Sequence, residues 1–165
     1  KLAVDEIKDI RQTASVALKE VRELVADMRA VRLSEEIFRV QQILNAAQIE
    51  LKVVGDPTAI QLPLHSENVL SMCLKEAVNN VVKHSGATKC KVTFEQNLNE
   101  LTLSIKDNGN GFTKQKAVSG NGLNGIYERV EFINGTLEIK QQNGTELIIH
   151  IPITITHQAG GDKID

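Results

Sequence analysis

Apolar residues at Ile7, Ile10, Ala14, Ala17, Val21, Leu24, Met28 and Val31 recur at spacings that alternate strictly between three and four, with Lys, Arg, Glu and Asp filling the gaps. This is a seam sustained for more than three heptads, the pattern of a helix packed lengthwise on another helix in a bundle or coiled coil. Written as one helix, Leu2 to Arg32 would be about 45 Å long. A compact domain in so short a chain cannot bury a seam of that length. The pattern therefore predicts a partner helix, from a second copy or from an upstream segment. The alternative is a single amphipathic helix lying on the domain that follows.

Leu33-Ser34-Glu35-Glu36 marks a break and a restart, with Ser34 as the expected cap and the two acids suited to the positive end of a second helix running to about Ala47. Ile49 to Val54 alternates as a strand and ends at Gly55-Asp56-Pro57. Ser66 is the expected cap of a long helix that reaches His84 and closes at Ser85-Gly86. Lys89 to Gln96 and Leu101 to Lys106 form a hairpin pattern across a short polar turn. The Gly-, Asn-, Ser- and Lys-rich stretch from Asn108 to Asn121 reads as a loop, followed by a helix from about Leu123 to Phe132. Thr136 to Gln141 and Glu146 to Ile151 then pair around Asn143-Gly144, a favoured two-residue turn. The pattern predicts an α+β protein: an α/β sandwich of mostly antiparallel strands over residues 33–156, preceded by a separate bundle helix over residues 1–32, with a disordered tail over residues 157–165.

Composition narrows the function classes. The chain of 165 residues is 41% hydrophobic and 24% charged, ordinary for a domain with a buried core. A formal net charge of −2 supplies no attraction to nucleic acid or anionic membranes, and one Tyr, four Phe and no Trp leave little for base stacking. Cys73 and Cys90 lack the spacing and histidine partners of a zinc site, and read as reduced, packed thiols of a cytoplasmic compartment. No apolar run approaches the ~20 residues of a membrane helix. The pattern is already helical at Lys1, so any membrane attachment is expected through an upstream sensor region.

On the long middle helix, Val69, Leu70, Cys73, Leu74, Ala77, Val78 and Val81 share one broad face, and Glu76, Asn80 and Lys83 fall within roughly 60° of one another along its edge. A carboxylate, an amide oxygen and an ammonium on one stripe suit a hydrated Mg²⁺ carrying phosphates; the same residues also suit a solvated face. Asp107-Asn108-Gly109-Asn110-Gly111 follows a strand, and a simple hairpin turn there would require a second alternating strand, which Phe112-Thr113-Lys114-Gln115-Lys116 does not supply. An acid at a strand end beside glycines that admit a ligand to the backbone is the better reading. Gly120-Asn121-Gly122-Leu123-Asn124-Gly125 matches GxGxxG in form, but no hydrophobic strand precedes it, so the dinucleotide-binding reading fails on context. What remains is a glycine-rich loop entering a helix N-terminus, where free N–H groups hold phosphate. A P-loop is excluded by the absence of GxxxxGK[ST].

Taken in order, Glu76-Ala77-Val78-Asn79-Asn80-Val81-Val82-Lys83-His84-Ser85, Asp107 to Gly111, Gly120 to Ile126, and Asn143-Gly144-Thr145 resemble the N, G1, G2 and terminal-threonine elements of the GHKL (Bergerat) ATP-binding fold. The details resemble the DesK-like subfamily of two-component sensor histidine kinases, Leu70 to Val78 especially. The resemblance implies ATP and Mg²⁺ as cofactors, with Asn80 coordinating the metal and Glu76 orienting the metal's water or acting as a base. Lys83 would approach the phosphates. Asp107 would accept from the adenine amino group with Thr145 in support, and Gly109 and Gly111 would admit the ring. Gly120, Gly122 and Gly125 would shape a lid, with backbone donors from Leu123 onward. It also implies a homodimer through the heptad helix and a response regulator as phosphoryl acceptor. Residues 1–32 resemble the second dimerisation helix, and none of His65, His84, His150 or His157 lies on it, so the phosphoacceptor is absent from this sequence. Two other readings remain: a serine kinase of the anti-sigma type or another GHKL ATPase, and a helical relay module with a vestigial nucleotide site.

Overall fold

The computed structural model describes residues 2–28, 31–111 and 121–153. Helix α1 spans Leu2–Met28, α2 Leu33–Ala46 and α3 Leu64–Asn80, the last continuing into a π-helical turn at Val81–Ser85; α4 spans Asn121–Phe132. The strands are β1 (Glu50–Val54), β2 (Lys89–Gln96), β3 (Glu100–Asp107), β4 (Thr136–Lys140) and β5 (Glu146–Pro152). They form one sheet in the order β1-β2-β3-β5-β4, in which β1 runs parallel to β2 and the other pairs are antiparallel.

The alternation read from the sequence decides which face is covered. Cys90, Val92 and Phe94 of β2, Leu101, Leu103 and Ile105 of β3, and Leu147, Ile149 and Ile151 of β5 are buried, whereas Thr93, Thr102, Ser104 and His150 between them are partly exposed. Helices α2, α3 and α4 pack over the buried face with Leu33, Val40 and Leu44, Leu70, Leu74 and Val78, and Ile126 and Val130. The result is the two-layer sandwich expected. Helix α3 occupies its middle, and every member of its expected apolar face is buried.

Four local expectations are corrected. Helix α2 starts two residues earlier than a Ser34 cap allows: Arg32 sits at the cap position without a side-chain cap bond, and the Leu33 N–H is answered by Glu67 Oε1 at 3.0 Å. Helix α3 starts at Leu64 behind Pro63, whose fixed φ begins a helix without help, and Ser66 is buried inside it. Asn143 and Gly144 do take positive φ (54° and 116°), yet the connection is no two-residue turn, because the last β4–β5 pair is Lys140 with Glu146. Five residues, 141–145, are released to meet the end of β3. Finally, the long helix ends in a π turn and not in regular α geometry. The tail expectation, residues 157–165, lies outside the described residues.

Helix α1 stands apart energetically. Ile7, Ile10 and Val21 of its seam are more than half exposed (58%, 67% and 57%), as are Val4 and Leu18. Among the described side chains, this part of the seam is therefore not covered by the chain's own sandwich. Leu74→Ala, at a fully buried site, is expected to cost about 2–5 kcal/mol of unfolding free energy. Ile10→Ala is expected to change it by under about 0.5 kcal/mol when the chain is monomeric. Urea denaturation of both variants at low protein concentration checks the contrast.

Candidate functional site

At the top of β3 the chain turns through Asp107, Asn108, Gly109, Asn110 and Gly111. Asp107 is buried at 5% exposure although it carries a carboxylate. Its Oδ1 accepts from Gly109 N at 2.7 Å, and its own N–H donates to Thr145 O at 2.9 Å. A Cβ on Gly144 would overlap the Asp107 carbonyl, so the β4–β5 loop approaches as closely as only glycine permits. Thr145 is buried beside it, and its Oγ1 lies 3.9 Å from where a Cβ on Gly111 would stand. Thus Asp107, Gly109, Gly111 and Thr145, read from two separated stretches of sequence, share one corner of the fold.

That corner is pinned to the end of α3. The Asn110 N–H donates to Ser85 O at 2.8 Å, and a Cβ on Gly109 would stand 2.7 Å from Ser85 Cβ. Ser85 is placed by the π turn, its Oγ donating to Val81 O at 2.6 Å and accepting from Ala87 N at 3.0 Å, before Gly86 closes the turn at φ 62°. Asn108 Oδ1 accepts from Thr88 N and Lys89 N, both at 2.9 Å, and ties the loop to the start of β2. Ser85, Asn108 and Gly144 are positioning residues that the sequence reading passed over. Their signals were present as turn formers, but turn propensity alone does not say which distant strand a turn will meet.

The second cluster forms where α4 begins. A Cβ on Gly122 would stand 2.5 Å from Glu76 Oε1 and 3.4 and 3.5 Å from Asn80 Nδ2 and Oδ1. Glu76 and Asn80 are partly buried, and the second glycine motif presses its backbone onto both. This motif is helical from Asn121 onward, so Gly122, Leu123 and Gly125 belong to the first turns of α4 and not to a loop. Leu123 packs against the core. Gly125 does not join the cluster: a Cβ on it would stand 3.4 Å from Arg129 Nη1, on the side toward α1. Lys83 is exposed within the π turn, where the wider backbone spiral displaces it from the regular α-helical stripe assumed for Glu76 and Asn80. Gly120 lies outside the described residues. A cavity of about 740 Å³ lies elsewhere, between α1 and the helical layer. Among the described residues no group of three or more His, Cys, Asp or Glu has metal-holding geometry.

The two cysteines are chemically quiet. Burial pushes the Cys73 thiol up to about 12, against the pull of the nearby Arg129 charge. Burial, reinforced by the Asp107 carboxylate across the strand pair, pushes Cys90 up to about 12.

Residues 65–155 match the model of the histidine kinase-, DNA gyrase B- and HSP90-like ATPases, and the chain belongs to that family. Within it, its relatives are the DesK-like sensor histidine kinases. The chain is 43% identical over 151 residues to the sensor histidine kinase DesK of Bacillus subtilis (strain 168), covering 91% of this chain and 41% of that protein. It is 41% identical over 149 residues to the sensor histidine kinase YvfT of the same organism, covering 90% and 40%. The chain thus spans about two fifths of the length of these curated relatives. In fold it resembles the histidine kinase domain of the Erythrobacter litoralis EL346 blue-light activated histidine kinase (TM-score 0.63, 17% identity, 73% of this chain and 60% of that one). It also resembles the ATP binding domain of PrrB from Mycobacterium tuberculosis (TM-score 0.61, 21% identity, 75% and 96%). Among the described residues no helix is long and apolar enough to cross a membrane.

Two outcomes follow from this geometry. Gly144→Ala is expected to destabilise the fold by about 2 kcal/mol or more, because its φ and the Asp107 carbonyl both oppose a side chain; thermal unfolding reads the loss. The native thiols keep their protons well above 9.0, the ordinary value at which unfolded thiols release theirs. Stability is therefore unaffected by the thiols below about pH 9 and falls as pH rises from there toward 12, by on the order of 1 kcal/mol per thiol per pH unit. Urea titrations from pH 7 to 10.5 on the native chain and on Cys73→Ala/Cys90→Ala measure the difference.

Proposed function

We propose that this chain is the ATP-binding, catalytic portion of a two-component sensor histidine kinase, in which residues 1–32 contribute one helix of a dimerisation bundle and residues 33–156 hold the nucleotide. The observation that carries the reading is the approach of Gly122 to Glu76 and Asn80, which joins the α3 polar stripe to the second glycine motif at a helix N-terminus. The buried Asp107 at the end of β3 would supply the acid for the other end of a nucleotide cleft.

The donor set fits Mg²⁺·ATP. An amide oxygen and a carboxylate are hard ligands for a cation that keeps several of its waters. Asn80 would hold the metal directly, with Glu76 reaching it through water or serving as the base. The metal, when bound, neutralises phosphate charge. Asp107 Oδ1 is already engaged by Gly109 N, so we assign Oδ2 as the acceptor of the adenine amino group, with the Thr145 hydroxyl in support. Gly109 and Gly111 would leave room beside the ring, and the first turn of α4, at Gly122 and Leu123, would offer its free N–H groups to the phosphates. Gly120 would begin this lid, and Lys83 would serve the phosphates as a flexible cation. Catalysis is then positioning and charge neutralisation for in-line transfer of the γ-phosphate to an imidazole. The acceptor histidine would come from a companion dimerisation helix, and a response regulator would take the phosphoryl group on. Such a portion works where ATP is, in the bacterial cytoplasm, with any membrane attachment through a sensor region outside this sequence.

Calorimetry is expected to show Mg²⁺-dependent binding of a non-hydrolysable ATP analogue. Asp107→Ala should weaken it by at least 100-fold, whereas Asn80→Ala should remove chiefly the dependence on Mg²⁺. With a histidine-bearing dimerisation helix supplied in trans, the product should be an acid-labile phosphoprotein. Acid-stable phosphoserine would favour the anti-sigma reading, and unchanged affinity in Asp107→Ala would sink the adenine assignment.

A further inference from the structure

The join between α1 and the sandwich is held by one face of α3. Arg32 is extended there (φ −65°, ψ 147°), and α2 begins without a cap of its own. Glu67 Oε1 accepts from Leu33 N at 3.0 Å, in the place where an N-cap oxygen would act, and Glu67 Oε2 takes Arg32 Nη1 at 3.2 Å. One turn further along, Ser71 Oγ donates to Val31 O at 3.0 Å, and Val31 N donates to Asn68 Oδ1 at 3.4 Å. Glu67, Asn68 and Ser71 are all buried. The backbone at 31 and 33, and the Arg32 side chain between them, are therefore held by buried polar side chains of α3, where such bonds are strongest and most directional. A carboxylate at the start of α2 also meets the positive end of that helix.

Elsewhere α1 rests on the domain lightly. The cavity of about 740 Å³ separates its C-terminal part from the helical layer, with Val21 and Arg22 on one wall and Met72 and Arg129 on the other. Further back, Lys19 Nζ stands 5.4 Å from the centre of the Phe132 ring, an exposed-type contact that tolerates sliding. The chain that enters the domain after α1 is thus held at residues 31–33. Glu67 also shares one rigid helix with the nucleotide stripe: Glu76 and Asn80 lie roughly 14 and 20 Å further along it at 1.5 Å per residue.

We propose that Glu67, seconded by Ser71, is a positioning lock that caps α2 from another helix and fixes the posture of α1 relative to the nucleotide cleft. A histidine-bearing helix that packs on the α1 seam is presented to the cleft at the angle this lock sets. The lock rests on the kinase reading for its effect on turnover, and on the structure alone for its effect on posture.

The test labels Arg11→Cys and Lys91→Cys with nitroxides, both sites being exposed and both native thiols buried and unreactive. Pulsed dipolar spectroscopy on the whole chain should give one narrow distance distribution. Glu67→Ala should broaden it at least twofold and Ser71→Ala should broaden it less. Glu67→Gln should stay near the parent, since its amide oxygen still accepts from Leu33 N. In transfer to the helix supplied in trans, Glu67→Ala should lose at least tenfold in turnover. Its affinities for the ATP analogue and for the helix should stay within twofold, and Glu67→Gln should recover most of the rate. A narrow distribution in Glu67→Ala, or turnover lost only in step with nucleotide affinity, overturns the proposal. If Glu67→Ala does not fold, an unbroadened Ser71→Ala overturns it. Failure of the parent chain to transfer at all defeats the kinase reading instead, and the distance distributions still decide the lock.

Discussion

Burial of one face of α3 against the sheet is the constraint on which the remaining arrangement depends. Leu70, Cys73, Leu74, Ala77 and Val78 are essentially removed from water between strands and helices. A helix held on that face cannot rotate, because a turn of even one residue would drive polar positions into the core. Its edges are fixed in consequence. Glu67 and Ser71 are aimed at the chain entering the domain, and Glu76 and Asn80 at the glycine turn of α4. The apolar packing thus supplies the precision that the polar groups use, and the same hydrophobic contact stabilises the fold and sets the site.

The strand side of the cleft obeys a different rule. There the chain repeatedly brings backbone against backbone, with Gly109 on Ser85 and Gly144 on Asp107, at separations no side chain would tolerate. These contacts place the Asp107 carboxylate in a nearly closed corner at the end of β3. The negative charge is felt by Cys90 directly across the strand pair. Hydrogen bonds from Gly109 and through Asn108 hold the turn so that the acid does not have to be rigid by itself.

Much of this could be read before any coordinates. The alternation of Leu101, Leu103 and Ile105 gave the buried face of β3, the seven apolar positions from Val69 to Val81 gave that of α3, and Asp107 with its glycines marked a turn at the end of β3. All of these rest on periodicity, which is local. What escaped was decided by partners remote in sequence. Ser34 and Ser66 look like caps, yet a buried carboxylate from α3 and a proline start those helices. Asn143-Gly144 looks like a tight hairpin, yet five residues separate the last paired positions of β4 and β5, and the loop meets Asp107 through the Thr145 carbonyl. Lys83 was placed by a regular helical spacing that the π turn breaks. The four-motif order survived because it does not depend on any single boundary.

The π turn at Val81–Ser85 has a consequence for how this chain can change. Such a turn holds one residue more than the α-helix that would otherwise pass through it, and its hydrogen bonds are poorer. Deleting a residue there would let α3 run on in regular geometry and would improve the local helix. It would also carry the Ser85 carbonyl away from Asn110 and so part the two halves of the cleft. Lineages that drift toward a more stable helix at this point therefore drift away from a working site, and the length of the segment between Asn80 and Gly86 should be held constant by selection on function and not on folding.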